Sequence, residues 1–162
     1  MYRNCYWVIP LSLVIALMLM MLPLPGWAAV IRPDLVALVL IYWAMAMPRH
    51  AGVTLGWVFG LLLDVSYGTL LGQHALGLLI VAYLVHKMHQ RVRVFSLVQQ
   101  ALVVFLLLIV KQAMVLWVSG MIGLAPDVGL IYFAPSLIGA LFWPWLFIIL
   151  RDVRRKFCRQ HM

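Results

Sequence analysis

The chain has 162 residues, of which 67% are hydrophobic and only 10% charged. A water-soluble domain carries about 45–50% apolar and about 25% charged residues, so a soluble fold of this size is excluded and lipid must solvate much of the surface. The formal charge is +8, from twelve Lys and Arg against four acids. These basic residues sit in the gaps between apolar runs and no nucleic-acid motif accompanies them, so they point to membrane orientation and not to a nucleic-acid partner.

In chain order, the first apolar run covers about 6–22 and stops at Pro23-Leu24-Pro25-Gly26. With Arg3 in front and Trp27-Ala28-Ala29 behind, it loosely resembles a signal peptide, but it is long for a signal core and more apolar sequence follows directly. A retained span is the expectation. The second run, about 30–47, opens on Arg32-Pro33-Asp34 and ends before Pro48. Pro33 suits a first helical turn, and Asp34 just after it suits the positive helix end. A start at Pro33 leaves a short span, so Arg32 must snorkel or the helix start must be sheltered by protein.

From Ala51 to Val85 the only Asp, Glu, Lys or Arg is Asp64. One straight helix over that stretch would be roughly 50 Å long, too long for one crossing. Turn signals at Tyr67-Gly68-Thr69 and Gly72-Gln73-His74 divide it into spans at about 53–67 and 74–88. Two full spans or a re-entrant pair both fit. The fifth span is expected at about 97–119, with Lys111 inside it. The sixth is expected at about 128–150, with Pro135 and Pro144 as kink candidates and with Trp143 and Trp145 near the interface. A short basic tail, 151–162, follows. Cys5 and Cys158 each flank a basic stretch and are expected to stay reduced in the cytoplasm.

These runs predict an all-α integral membrane protein: one domain over 1–162, built as a six-helix bundle. Placing both termini in the cytoplasm puts every Lys and Arg on that side except Arg32, which faces out, and Lys111, within a span. Asp34, Asp64 and Asp127 then lie on or toward the outer side.

Few residues promise chemistry. Gly52, Gly56, Gly60, Asp64, Gly68 and Gly72 recur at every fourth position. Gly52 to Asp64 would share one helical face, where small residues admit a close neighbour: internal packing, a partner span or a substrate groove. Asp64 is costly in lipid and must face protein or water. Lys111 lies at a similar depth, so an Asp64–Lys111 ion pair is geometrically allowed and is the hypothesis here, with Arg32 as the competing partner for Asp64; the choice between them stays open. His86 and His89 have ligand spacing but sit in a basic flank where solvated residues are the ordinary case. No Ser/His/Asp ordering with supporting loops, no acidic pair and no Cys/His metal pattern is present, so no catalytic residue, metal or cofactor is expected.

The run from Arg32-Pro33-Asp34 through Tyr42-Trp43 to Pro48 resembles the second span of the rod shape-determining MreD family. So do Gly56-x-x-x-Gly60-x-x-x-Asp64-x-x-x-Gly68 with Leu71-Gly72, and Trp143-Pro144-Trp145 before a basic tail. The resemblance implies a non-enzymatic inner-membrane scaffold of the bacterial cell-elongation machinery, acting in peptidoglycan synthesis and cell shape. It implies MreC as a direct partner. It also implies a wider complex with a class B penicillin-binding transpeptidase, a SEDS glycosyltransferase, RodZ and MreB; lipid contact is expected and self-association stays open. It implies a fold similar to the substrate-binding subunits of energy-coupling-factor transporters, which raises the alternative of a small-molecule-binding subunit or transporter with an outward polar pocket near Arg32, Asp64, Gln73 and Lys111. The family offers no catalytic residue. Arg32, Pro33, Asp34, Gly56, Gly60, Asp64, Gly68 and Gly72 carry over as structural or partner positions, and Lys111 has no place in the family pattern.

Overall fold

The computed structural model describes residues 6–49, 52–123 and 129–157. Arg3, Cys5, Ala51, Asp127 and Cys158, named above, lie outside the described residues. The described chain is helical, without strands: α1 (Val8–Met21), α2 (Gly26–Val30), α3 (Leu35–Ala46), α4 (Val53–Tyr67), α5 (Gln73–Val92), α6 (Leu97–Met121), a 3-10 turn (Leu130–Phe133) and α7 (Ala134–Phe157). Two stretches, Leu97–Met121 and Leu130–Phe157, have both the length and the apolar composition to cross a membrane; α1, α3 and α4 are shorter apolar helices.

The 12-residue α3 lies at the centre. Every residue from Val36 to Met45 is buried, so no face of this helix meets solvent or lipid. It packs against α1, α5 and α7, while α4, α5, α6 and α7 contact one another in sequence. A helix that is apolar on all sides and enclosed on all sides reads the same from either face, which is why its amphipathic signal is absent. Its shelter comes from protein, as its shortness requires.

Local chemistry sets its ends. Asp34 is the N-cap of α3, and its Oδ1 accepts from the Ala37 amide at 3.1 Å. Pro33 therefore precedes the helix and does not occupy its first turn; it holds Arg32 out of helical geometry just before the cap. At the other end Pro48 keeps Met47 out of helical geometry (φ −137°, ψ 69°) and α3 stops. The start of α6 is closed by a capping box in which Ser96 and Gln99 satisfy each other's backbone amides. Arg154, Arg155 and Lys156 occupy the last turn of α7, at the negative end of its dipole.

Two indole N–H groups tie the core across helices. Trp43 donates to Ser12 Oγ at 2.8 Å, and Trp143 donates to Gln100 Oε1 at 3.4 Å. Trp143 is fully buried, so it is not the interfacial aromatic that its place beside the basic tail suggested; Trp145, 71% exposed, is the outward one. The helix turns about 200° between them, which sends one inward and one out. Pro144 sits between them inside α7.

Candidate functional site

The α4–α5 hairpin is organised by Asp64. Gly68 ends α4 in the left-handed conformation (φ 66°), and Gly72 opens α5 the same way (φ 99°). Gly72 has no side chain with which to cap α5, so the orphan amides of its first turn need another acceptor. Asp64 supplies it from across the turn. Its Oδ2 accepts from the Gly72 amide at 2.8 Å and the Ala75 amide at 3.4 Å. Its Oδ1 accepts from the His74 amide at 2.8 Å and the Thr69 hydroxyl at 3.0 Å, and meets the His74 ring Nδ1 at 2.8 Å. The carboxylate is fully buried yet saturated with donors, at the positive end of a helix.

This corrects the hypothesised Asp64–Lys111 pair. Lys111 Nζ instead forms its ion pair with Asp34 Oδ2. Arg32, the competing candidate, donates to the Leu22 carbonyl. A similar depth for Asp64 and Lys111 does not make them partners, because depth along a helix says nothing about which side a residue faces. Lys111 packs along Gly77 of α5, where a Cβ would lie 2.9 Å from its Cγ, and so its stem is led toward the start of α3. Asp34 thus does two things: one oxygen caps the central helix, the other meets the buried ammonium.

The regular glycines separate into three kinds. A Cβ on Gly60 would lie 2.2 Å from Ala75 Cα, and one on Gly56 would lie 3.0 Å from the Leu78 carbonyl oxygen. Both are consumed by close contact of α4 with α5, which is the internal-packing reading of that face. Gly68 and Gly72 serve backbone conformation, with open space where a Cβ would stand. Gly52 meets nothing within 4 Å.

Around these acids lies a polar cluster. Gln73 donates to Ser119 Oγ at 2.6 Å, and Gln112 donates to the Tyr132 carbonyl at 3.1 Å while accepting from Ser136. The cluster borders a cavity of about 200 Å³ whose wall includes Arg32, Asp34, His74, Lys111, Gln112 and Ser136. Asp64 and Gln73, two of the residues expected near an outward pocket, stand behind that wall. The only hint of this grouping was the presence of polar side chains inside apolar runs; which helix faces they occupy is a tertiary fact.

The family model for the rod shape-determining protein MreD matches residues 1–153. A curated relative, the rod shape-determining protein MreD of Haemophilus influenzae, is 34% identical over 149 residues, 88% of each chain. The chain belongs to the MreD family. No solved structure matches it. MreD membership assigns a role in determining rod shape, in association with the rod-shape complex, and the apolar helices accord with a membrane protein. The family is defined by shape determination and not by a reaction. In MreD terms, the matched region contains the whole Asp34–Lys111 and Asp64–His74 arrangement.

Proposed function

We propose that this MreD protein is a non-enzymatic scaffold of the cell-elongation complex in the cytoplasmic membrane, crossing it six times with both termini inside. In this reading it binds MreC directly and helps position peptidoglycan synthesis, with the transpeptidase, glycosyltransferase, RodZ and MreB in the wider assembly. The observation that carries it is that the buried charges are matched internally. Asp64 serves the α4–α5 turn and Lys111 serves Asp34, so both stabilise a rigid body instead of standing ready for a reactant. Because Gly56 and Gly60 are already occupied by α5, MreC would meet other faces, such as the exposed apolar sides of α6 and α7 at Leu102, Leu106, Leu141 and Trp145.

Depletion in a rod-shaped host should round the cells and delocalise MreC. Normal rods with normal MreC placement after complete depletion would overturn the scaffold reading. The cavity of about 200 Å³ beside Lys111 supports the alternative, a small-molecule-binding subunit. That alternative predicts a stoichiometric small molecule in protein purified from membranes and examined by mass spectrometry, and it fails if none is held.

A further inference from the structure

The end of the bundle away from the Asp64 cluster contains a second cavity, of about 170 Å³, between α3, the C-terminal end of α5 and α7. Its wall is formed by Tyr42, Met45, Ala46, Phe147, Arg93 and Arg154. Tyr42 is 1% exposed, and its hydroxyl is buried without a hydrogen-bond partner. Buried hydroxyls are ordinarily paired, so an orphan beside a cavity marks a missing acceptor. Packing fixes this ring: it makes edge contacts with Trp43 at 5.3 Å and Phe147 at 5.5 Å, which leaves the hydroxyl little freedom to find another partner.

The electrostatics specify the acceptor's sign. The guanidinium groups of Arg93 and Arg154 line the cavity together with Tyr42, and no carboxylate is among the described residues of its wall. Asp152 lies 4.0 Å from Arg151 Nε. Among the described residues, neither Arg93 nor Arg154 has a carboxylate within ion-pair distance. Guanidinium groups recognise phosphate through paired N–H donors, and basic pockets between membrane helices on the cytoplasmic side suit anionic headgroups. Met45, Ala46 and Phe147 make the rest of the wall apolar, which suits a molecule that is charged at one end and greasy at the other.

We propose that this cavity binds the phosphate group of an anionic membrane lipid. Arg93 and Arg154 hold the phosphate, the Tyr42 hydroxyl donates to one of its oxygens, and the apolar wall receives the start of an acyl chain. The site rests on the proposed orientation only for the leaflet that supplies the lipid.

The test uses the full chain in neutral detergent, with equal amounts of dioleoyl phosphatidylglycerol and dioleoyl phosphatidylcholine, read by native mass spectrometry. The chain should retain one phosphatidylglycerol in preference to phosphatidylcholine. Tyr42→Phe and Arg154→Gln should each lower that retention about tenfold, the loss expected for a hydrogen bond to a charged group. Lys156→Gln, on the exposed side of the same turn, should leave it unchanged. Tyr42→Phe keeps the ring packing, and a thermal melt verifies that each variant is folded. Equal retention of both lipids, or wild-type retention by folded Tyr42→Phe and Arg154→Gln, overturns the site. Glycerol 3-phosphate binding as tightly as the lipid overturns the lipid assignment. Detergent removes the leaflet from the question, so a wrong orientation would leave this result standing.

Discussion

Asp64, fully buried, and Asp34, partly buried, each accept hydrogen bonds from the amides of a helix start, but they have different jobs. Asp64 satisfies backbone amides that Gly72 cannot cap, and Asp34 both caps its own helix and neutralises Lys111. Removing an acceptor leaves each buried donor unsatisfied at about 1–3 kcal/mol, so Asp64→Ala should destabilise the fold by at least ~3 kcal/mol. A lowered melting temperature in detergent and reduced membrane abundance check this. Lys111→Met alone leaves the partly buried Asp34 without its counter-charge and should cost up to about 3–5 kcal/mol, the figure for a fully buried pair. Asp34→Asn in the same chain keeps an N-cap acceptor and removes the stranded charge, so the double variant should recover most of that loss. Exchanging Asp64 with Lys111 should rescue nothing. Equal melting temperatures for Lys111→Met and the double variant would contradict the pairing. The importance of both acids was legible in the sequence, because a charge inside an apolar run demands a partner. The choice of partner was not, since it depends on how α6 is rotated against α3 and α5.

At the scale of elements, the glycine repeat showed where a close approach or a turn was needed but not which glycine did which. The structure separates them, and the separation is measurable. Gly60→Ala places a methyl group against backbone, which cannot move aside as a side-chain tip can. Overpacking of this kind costs about 1–3 kcal/mol or more, so α4 and α5 should part and the melting temperature should fall. Gly68→Ala meets no neighbour, but its left-handed backbone should cost about 1–2 kcal/mol. Gly52→Ala should be near neutral. Thermal melts of the three variants should rank in that order, and an equal effect from Gly52→Ala and Gly60→Ala would refute the assignment. Helix limits were readable where punctuation was strong, as at Pro48, Gly68 and Ser96. They were not readable before α3, where Pro33 and Asp34 each suit a helix start and only the Asp34 cap geometry decides between them.

At the scale of the whole molecule, one end carries the polar cluster of Asp34, Asp64, His74 and Lys111, and the other carries Arg93, Arg154, Arg155 and Lys156. That polarity predicts sidedness. In a background lacking Cys5 and Cys158, Leu71→Cys in the α4–α5 turn should react with an impermeant maleimide in intact spheroplasts, and Lys156→Cys should react only after lysis. The opposite pattern would invert the proposed orientation. Composition made the membrane class plain at once, because lipid tolerates few alternatives to helices. The central place of α3 was hidden, since an enclosed helix and a lipid-facing one have the same apolar composition.

The enclosure of α3 also bears on how the protein is made. Its 12 residues extend only ~18 Å, well short of a ~30 Å hydrocarbon core. During synthesis it leaves the ribosome before α4, α5, α6 and α7, all of which it contacts, so at that moment it is too short to span alone and has only α1 to pack against. Its insertion must therefore wait on its neighbours. A nascent chain stopped before α7 would hold α3 half-housed, and such a fragment should be a substrate for membrane quality-control proteolysis rather than a smaller working protein.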